Sequence, residues 1–148
     1  MLILLACTDK VVLDGERPAD TDTDTDTDTD TDTDIDYTGE YGGAMDGLYE
    51  WSGNQEPCTG TNTFTVRPDG TLTGSSTCTS TSWGTLDGTF EAVVAGDGTV
   101  SGTWNSYFYP EDVSVPLDGS IADGAISAST SYTNSYGSFS ATFTGTRD

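Results

Sequence analysis

The sequence predicts an all-β protein, an antiparallel up-and-down meander that closes into a small barrel. From residue 37 onward the chain is rich in Gly, Ser, Thr and aromatic residues and shows no apolar pattern of helical period. An Asp-Gly motif recurs there as PDGTLTG, GDGTVSG and ADGAISA, with Asp-Gly spacings of 28 and 26 residues. Asp-Gly is a strong hairpin signal because glycine readily adopts the positive φ of the turn.

The hairpins can be checked within the sequence, because opposed residues of an antiparallel pair have a constant sum of positions. A three-residue turn with a glycine bulge at Asp97-Gly98 sets Phe90 opposite Trp104, and the same turn type fits PDG. A two-residue turn fits ADG. The other pairs expected are Val94 with Val100, Ala92 with Gly102, Val66 with Leu72, Phe64 with Gly74, Ile121 with Ile126 and Gly119 with Ala128. All are apolar or small, which predicts one buried face.

The number of strands depends on residues 37–51. One long strand bent at its glycines gives eight strands, whereas a turn at Asp46-Gly47, within the looser motif copy MDGLYEW, gives nine. Eight strands can close into a barrel, since a closed antiparallel barrel needs an even number of strands. The architecture resembles the small lipocalin-like barrels of bacterial surface lipoproteins, and this resemblance implies no binding residues. A β-sandwich is the structural alternative.

The charge of the chain limits its partners. There are 25 acidic residues against four basic ones, and such a field repels nucleic acid and anionic headgroups. A basic protein fits better. The chain has no histidine, the usual general base and commonest metal ligand. We therefore expect no enzyme activity, no catalytic residues, no metal site and no cofactor.

The amino terminus carries a lipoprotein-like motif. Leu4, Leu5, Ala6 and Cys7 resemble the lipobox, in which a signal peptidase cuts before the cysteine and the sulfur receives a diacylglycerol. The resemblance implies that residues 1–6 are a signal-peptide remnant and that Cys7 anchors the protein to a membrane. Thr8, rather than Asp, implies sorting to the outer membrane. The alternative is a free cysteine in an apolar tail. The sequence contains no run of 18 apolar residues, so it predicts no membrane-spanning helix.

The Thr-Asp tract from Asp20 to Asp36 is predicted to be a disordered spacer. Its nine carboxylates lie about 7 Å apart along an extended chain and repel one another, and it has almost nothing apolar to bury. It lacks the glycine and closing glutamate of a calcium loop. Residues 7–36 are therefore expected to tether a barrel domain formed by residues 37–148.

The chain has three cysteines, and an even number remains for pairing once Cys7 is assigned to lipid. Cys58 and Cys78 then remain for a disulfide, which requires an oxidising compartment. The register of their hairpin places both sulfurs at the same end of it. The alternative is two unrelated buried thiols.

Candidate ligand-binding residues gather at one end of the meander. All the Asp-Gly turns fall at the other end, so longer loops are expected over 52–60, 79–87, 106–112 and 133–137. The candidates in or beside them are Trp51, Trp83, Tyr107, Phe108, Tyr109 and Tyr136. Rings on such loops suit recognition of carbohydrate, peptide or a basic protein. Alternatively, the rings plug the barrel mouth. The three consecutive rings of SYFYPED cannot all face the core, so at least one should point outward.

Three functional hypotheses follow. The first is a lipid-anchored cell-envelope protein, periplasmic or surface-facing, that binds a ligand or partner through its aromatic loops. The second is a structural surface lipoprotein without a defined ligand. The third is an inhibitor of a basic envelope-active enzyme, suggested by the acidic body, although the loops have no basic residue to enter an acidic cleft.

Overall fold

The structure, a computed structural model, describes residues 35–148. Its eight antiparallel strands form a closed barrel in which each strand pairs with its sequence neighbours and the last pairs with the first. The strands are β1 (Gly39–Trp51), β2 (Asn54–Val66), β3 (Thr71–Ser80), β4 (Gly84–Val94), β5 (Thr99–Phe108), β6 (Glu111–Ala122), β7 (Ala125–Thr133) and β8 (Ser138–Arg147). The predicted barrel is confirmed and the sandwich alternative is wrong. In this part of the chain no helix is long and apolar enough to cross a membrane.

The predicted register is confirmed in all three Asp-Gly hairpins. Phe90 lies opposite Trp104, and every other expected pair is found as well. Gly98 has φ 83°, as the bulge requires, and Asp123 and Gly124 both have positive φ, as a two-residue turn requires. The predictions for Cys7 and for nearly all of the Thr-Asp tract lie outside the described residues.

The strand count is eight, because β1 continues without a break through Asp46 and Gly47. The nine-strand alternative is therefore wrong. A Cβ at residue 47 would lie 2.8 Å from ring carbons of Phe139. This glycine gives an aromatic side chain room to pack and does not form a turn.

Aromatic rings fill the interior of the barrel. Ring centroids of Phe64 and Phe90 are 4.5 Å apart, those of Phe90 and Phe143 4.9 Å, and those of Trp104 and Phe139 5.6 Å. All five residues are almost fully buried. An eight-stranded barrel is just wide enough for its side chains to fill it, so a ligand would find room at an end of the barrel.

One end, here called the closed end, is sealed by main-chain hydrogen bonds. It carries the three Asp-Gly turns, and the carbonyl of each turn glycine accepts a bond from the neighbouring strand: Val94 to Gly70, Ile121 to Gly98 and Arg147 to Gly124, each at 2.8 Å. The chain enters here as well. The Arg147 guanidinium donates to the carbonyls of Asp36 and Thr38, and the Tyr41 hydroxyl donates to the carbonyl of Tyr37 at 2.7 Å.

The opposite end, the mouth, does not have the long loops that the sequence predicts. Its turns are short and occupy residues 52–53, 81–83, 109–110 and 134–137. The glycine, proline and asparagine residues that predict loops lie largely in strands, because the hairpins β1–β2, β3–β4 and β5–β6 stay hydrogen-bonded up to their turns. The aromatic candidates therefore lie on strand ends and tight turns, which hold them more rigidly than loops would.

Candidate functional site

Neighbouring hairpins diverge at the mouth and leave gaps between their tips, except that β8 stays paired with β1 up to Ser138 and Glu50. The ladder between β4 and β5 ends at Gly88 and Ser106, although β4 begins four residues nearer the mouth. The ladder between β6 and β7 likewise stops at Asp118 and Ser129. Side chains, rather than main-chain bonds, therefore occupy the space between neighbouring hairpins there.

A cleft of about 390 Å³ opens in this region, and all six aromatic candidates line it. This aromatic cleft is lined by Tyr49, Glu50, Trp51, Trp83, Thr85, Leu86, Tyr107, Phe108, Tyr109, Tyr136, Gly137 and Ser138. The predicted clustering of the candidate rings at one end is confirmed. The volume lies near the lower end of the roughly 300–1,000 Å³ typical of small-molecule sites.

The rings of the aromatic cleft meet at steep angles. Trp51, the last residue of β1, and Trp83, in the β3–β4 turn, have centroids 5.3 Å apart and an interplanar angle of 86°. Tyr109 and Tyr136, on two further turns, are 5.8 Å apart at 70°. Trp83 is 50% exposed, and the two tyrosines are 61% exposed. The cleft therefore offers corners made of ring faces to whatever enters it.

The three consecutive rings of SYFYPED divide between core and surface. Phe108 points inward and stacks on Tyr49, with centroids 5.8 Å apart and an interplanar angle of 14°. Tyr107 is 53% exposed and Tyr109 more so, so the prediction that at least one ring points outward is confirmed. Phe108 plugs the mouth, as the second alternative predicts, while its two neighbours line the entrance.

Tyr49 forms the floor of the aromatic cleft, and sequence reasoning missed it. Its ring lies 4.8 Å from the core ring of Phe139 and 6.0 Å from Trp83, and so links core and cleft. Burial, together with the nearby carboxylate of Glu56, raises the pKa of Tyr49 to about 12. Tyr49 lies four residues after Met45, so strand alternation predicts that both face the core. The Asp46-Gly47 pair between them suggested a turn instead.

Glu56 is a buried carboxylate that holds the turn carrying Trp83. Its Oε1 accepts the Ser82 backbone N–H at 2.5 Å, while Ser80 Oγ accepts the Trp83 N–H at 3.0 Å. Donation by the Ser82 hydroxyl and backbone N–H lowers the pKa of Glu56 despite its burial. Sequence reasoning missed this role because acidic residues near turns are usually solvated.

The predicted disulfide is confirmed and lies just below this turn. The sulfurs of Cys58 and Cys78 are 2.00 Å apart, and their Cα atoms are 5.5 Å apart. The alternative of two unrelated thiols is wrong. The β2–β3 ladder stops at Thr59 and Thr79, so the disulfide holds the two strands together where their main-chain bonds end.

Asn134 fixes the fourth turn of the mouth. Its Oδ1 accepts the backbone N–H groups of Tyr136 at 2.9 Å and Gly137 at 3.2 Å. Beside it, the Tyr132 hydroxyl donates to Glu111 Oε1 at 2.5 Å. Two of the turns that carry exposed rings are thus held by side-chain hydrogen bonds.

The lining of the aromatic cleft is mainly aromatic, with one acidic residue, Glu50. Across residues 35–148 no group of three or more His, Cys, Asp or Glu side chains is placed to hold a metal ion. Comparison with known proteins finds no matching family model and no significant match among curated proteins. The interpretation of the site therefore depends on its geometry.

Proposed function

We propose that this chain is a lipid-anchored cell-envelope protein whose barrel binds a ligand or partner through the aromatic cleft. The observation that carries the proposal is the convergence of six rings from four separate segments of the chain in one cleft, two of whose turns are held by Glu56 and Asn134. Exposed apolar side chains that are scattered singly need no explanation, whereas a rigid cluster of them is typical of a recognition site.

The positions of the two ends of the barrel support the anchoring part of the proposal. The chain enters at the closed end, and β1 then runs 13 residues to the mouth, roughly 40 Å along the strand. An anchor at Cys7 and a tether over residues 7–36 would attach on the side away from the cleft. The lipobox-like Leu4–Cys7 motif and Thr8 support the outer membrane as the location.

Membrane fractionation tests the anchor. Cys7→Ala removes the sulfur that would carry the lipid, so we expect the variant to move to the soluble fraction, while Thr21→Ala in the tract stays with the membrane. A Cys7→Ala protein that still sediments with membranes would contradict lipid anchoring.

Affinity capture from the native envelope tests the cleft. A tag at the carboxyl terminus lies at the closed end and leaves the mouth free. The intact chain is expected to retain an envelope component that Trp83→Ala loses and Val93→Ala keeps, since Val93 is an exposed apolar residue outside the cleft. Equal capture by the three proteins, or none, would favour a structural surface protein instead.

The inhibitor alternative receives less support. In the described part of the chain the two basic residues, Arg67 and Arg147, both lie at the closed end. Within residues 35–148, the mouth thus has no cation to place in an acidic enzyme cleft. Undiminished lysis by a basic lysozyme in the presence of the protein is the expected result.

A further inference from the structure

Among the residues that the structure describes, the charged groups at the mouth are all acidic. Glu50 lines the aromatic cleft, Glu56 lies beneath Trp83, and Glu111 and Asp112 begin β6 beside the rings. The nearest arginines are at the other end of the barrel. No cation of residues 35–148 lies at the mouth to neutralise this negative field, which disfavours anionic ligands and favours cationic ones.

The rings provide a second attraction for a cation. The face of an aromatic ring is negative, and a cation within about 6 Å of several ring centroids is attracted by each of them. The perpendicular pair Trp51 and Trp83 and the steep pair Tyr109 and Tyr136 form corners in which one group contacts more than one ring. At the closed end the protein uses the same interaction itself, where Arg147 lies 5.9 Å from the centroid of the Tyr41 ring.

The carboxylate of Glu50 is held at the rim: its Oε1 accepts from the Gln55 side-chain amide, and its Oε2 accepts from the Ser138 hydroxyl at 3.3 Å. It supplies negative charge near the aromatic cleft, whose lining is mainly aromatic. A primary ammonium brings three N–H donors that need acceptors, whereas a quaternary ammonium brings none and has an apolar surface that suits the rings.

We propose that the aromatic cleft binds a quaternary ammonium group. This inference rests on the proposed function, since it names the ligand chemistry of the same cleft. The trimethylammonium group lies against the faces of Trp51 and Trp83, and the negative field of the mouth, to which Glu50 contributes, balances its charge. Nucleic acid and anionic sugars are excluded by the same field.

Titration of the full-length protein with choline chloride tests this, with sodium chloride added to hold ionic strength constant. Trp51 and Trp83 report through their fluorescence, while Trp104 is buried in the core. We expect saturable binding at least about tenfold tighter than that of 3,3-dimethylbutan-1-ol, the uncharged isostere. Trp83→Ala should weaken binding roughly fivefold, the scale of an exposed cation–π contact, and Glu50→Gln should weaken it similarly. Val93→Ala should not change it.

Each other outcome overturns the inference. Equal affinity for choline and the neutral isostere would show that the cleft recognises apolar shape alone. Tighter binding of Nα-acetyl-lysine amide than of choline would assign a protein side chain as the ligand, and binding of N-acetylglucosamine without choline would assign a neutral sugar. In these cases Trp83-dependent capture from the envelope would still support the proposed function. No choline binding and no such capture would contradict both.

Discussion

Phe108 is expected to support the stability of the mouth, whereas Tyr107, the adjacent residue, is expected to contribute little. A fully buried Phe→Ala substitution costs about 3–5 kcal/mol. Phe108 is half-buried and stacks on Tyr49, so Phe108→Ala should cost about 2 kcal/mol. Tyr107 is 53% exposed, and Tyr107→Ala should change the free energy of unfolding by less than about 0.5 kcal/mol, as surface substitutions usually do.

Urea denaturation of the oxidised protein, followed by tryptophan fluorescence and circular dichroism, measures both values. For a domain of this size a loss of about 2 kcal/mol corresponds to a fall in melting temperature of roughly 8 °C. The slope of the free energy of unfolding against urea concentration should stay the same, since the substitution does not change how much surface is exposed on unfolding. Phe108→Leu, which keeps an apolar side chain but loses the stacked ring, should fall between the wild type and Phe108→Ala.

Two results would refute this reasoning. If Phe108→Ala is as stable as the wild type, the ring does not plug the mouth, and all three rings of SYFYPED are available for binding. If Tyr107→Ala is as destabilised as Phe108→Ala, the inward and outward assignment of β5 near the mouth is wrong.

Three further predictions concern the supports of the barrel. Replacing Cys58 and Cys78 by alanine should lower stability by about 3 kcal/mol, on the chain-entropy model for a loop of this length, with strand content unchanged by circular dichroism. Glu56 has a lowered pKa, so its contribution is present above the unfolded value of 4.5 and is lost as the pH falls below it. The stability difference between wild type and Glu56→Gln should therefore shrink between pH 6 and pH 3, and a constant difference would contradict the role of its charge. Gly88→Ala would place a Cβ 2.1 Å from the indole nitrogen of a core tryptophan and should cost more than about 2 kcal/mol in denaturant titrations, whereas Gly96→Ala, with open space around it, should cost little.

The barrel was predictable because its register is encoded redundantly. Each Asp-Gly turn fixes a pairing, and the apolar alternation of the flanking strands independently requires the same pairing, since a slip of one residue would turn Phe90 and Trp104 outward. The end at which the rings collect was equally predictable, because connections in a meander alternate between ends. The disulfide followed from the same register.

The interior of the mouth was not predictable to the same degree. Pro57 and Gly60 suggest a loop locally, but β2 continues through both because its ladder with β1 extends to Asn54. Burial of Glu56 depends on the backbone of the β3–β4 turn, 26 residues away in sequence, and no local pattern encodes that contact. The position of Tyr49 was missed because Asp46-Gly47 was interpreted as a possible turn, whereas Gly47 lies within β1 and leaves room for the ring of Phe139.

The two ends of the barrel differ in what holds neighbouring strands together. At the closed end main-chain bonds join each turn to the next strand, so most side-chain substitutions there leave the pairing intact. At the mouth, side chains replace those bonds between three pairs of hairpins: the Thr130 hydroxyl donates to the Pro116 carbonyl at 2.7 Å, the Ser106 hydroxyl donates to the Asp87 carbonyl at 2.6 Å, and the disulfide joins β2 to β3. Strands joined in this way leave gaps between the hairpin tips while the ring of strands stays closed elsewhere. If the aromatic cleft binds as proposed, truncating an exposed mouth ring such as Tyr109 should alter binding without altering the folded barrel.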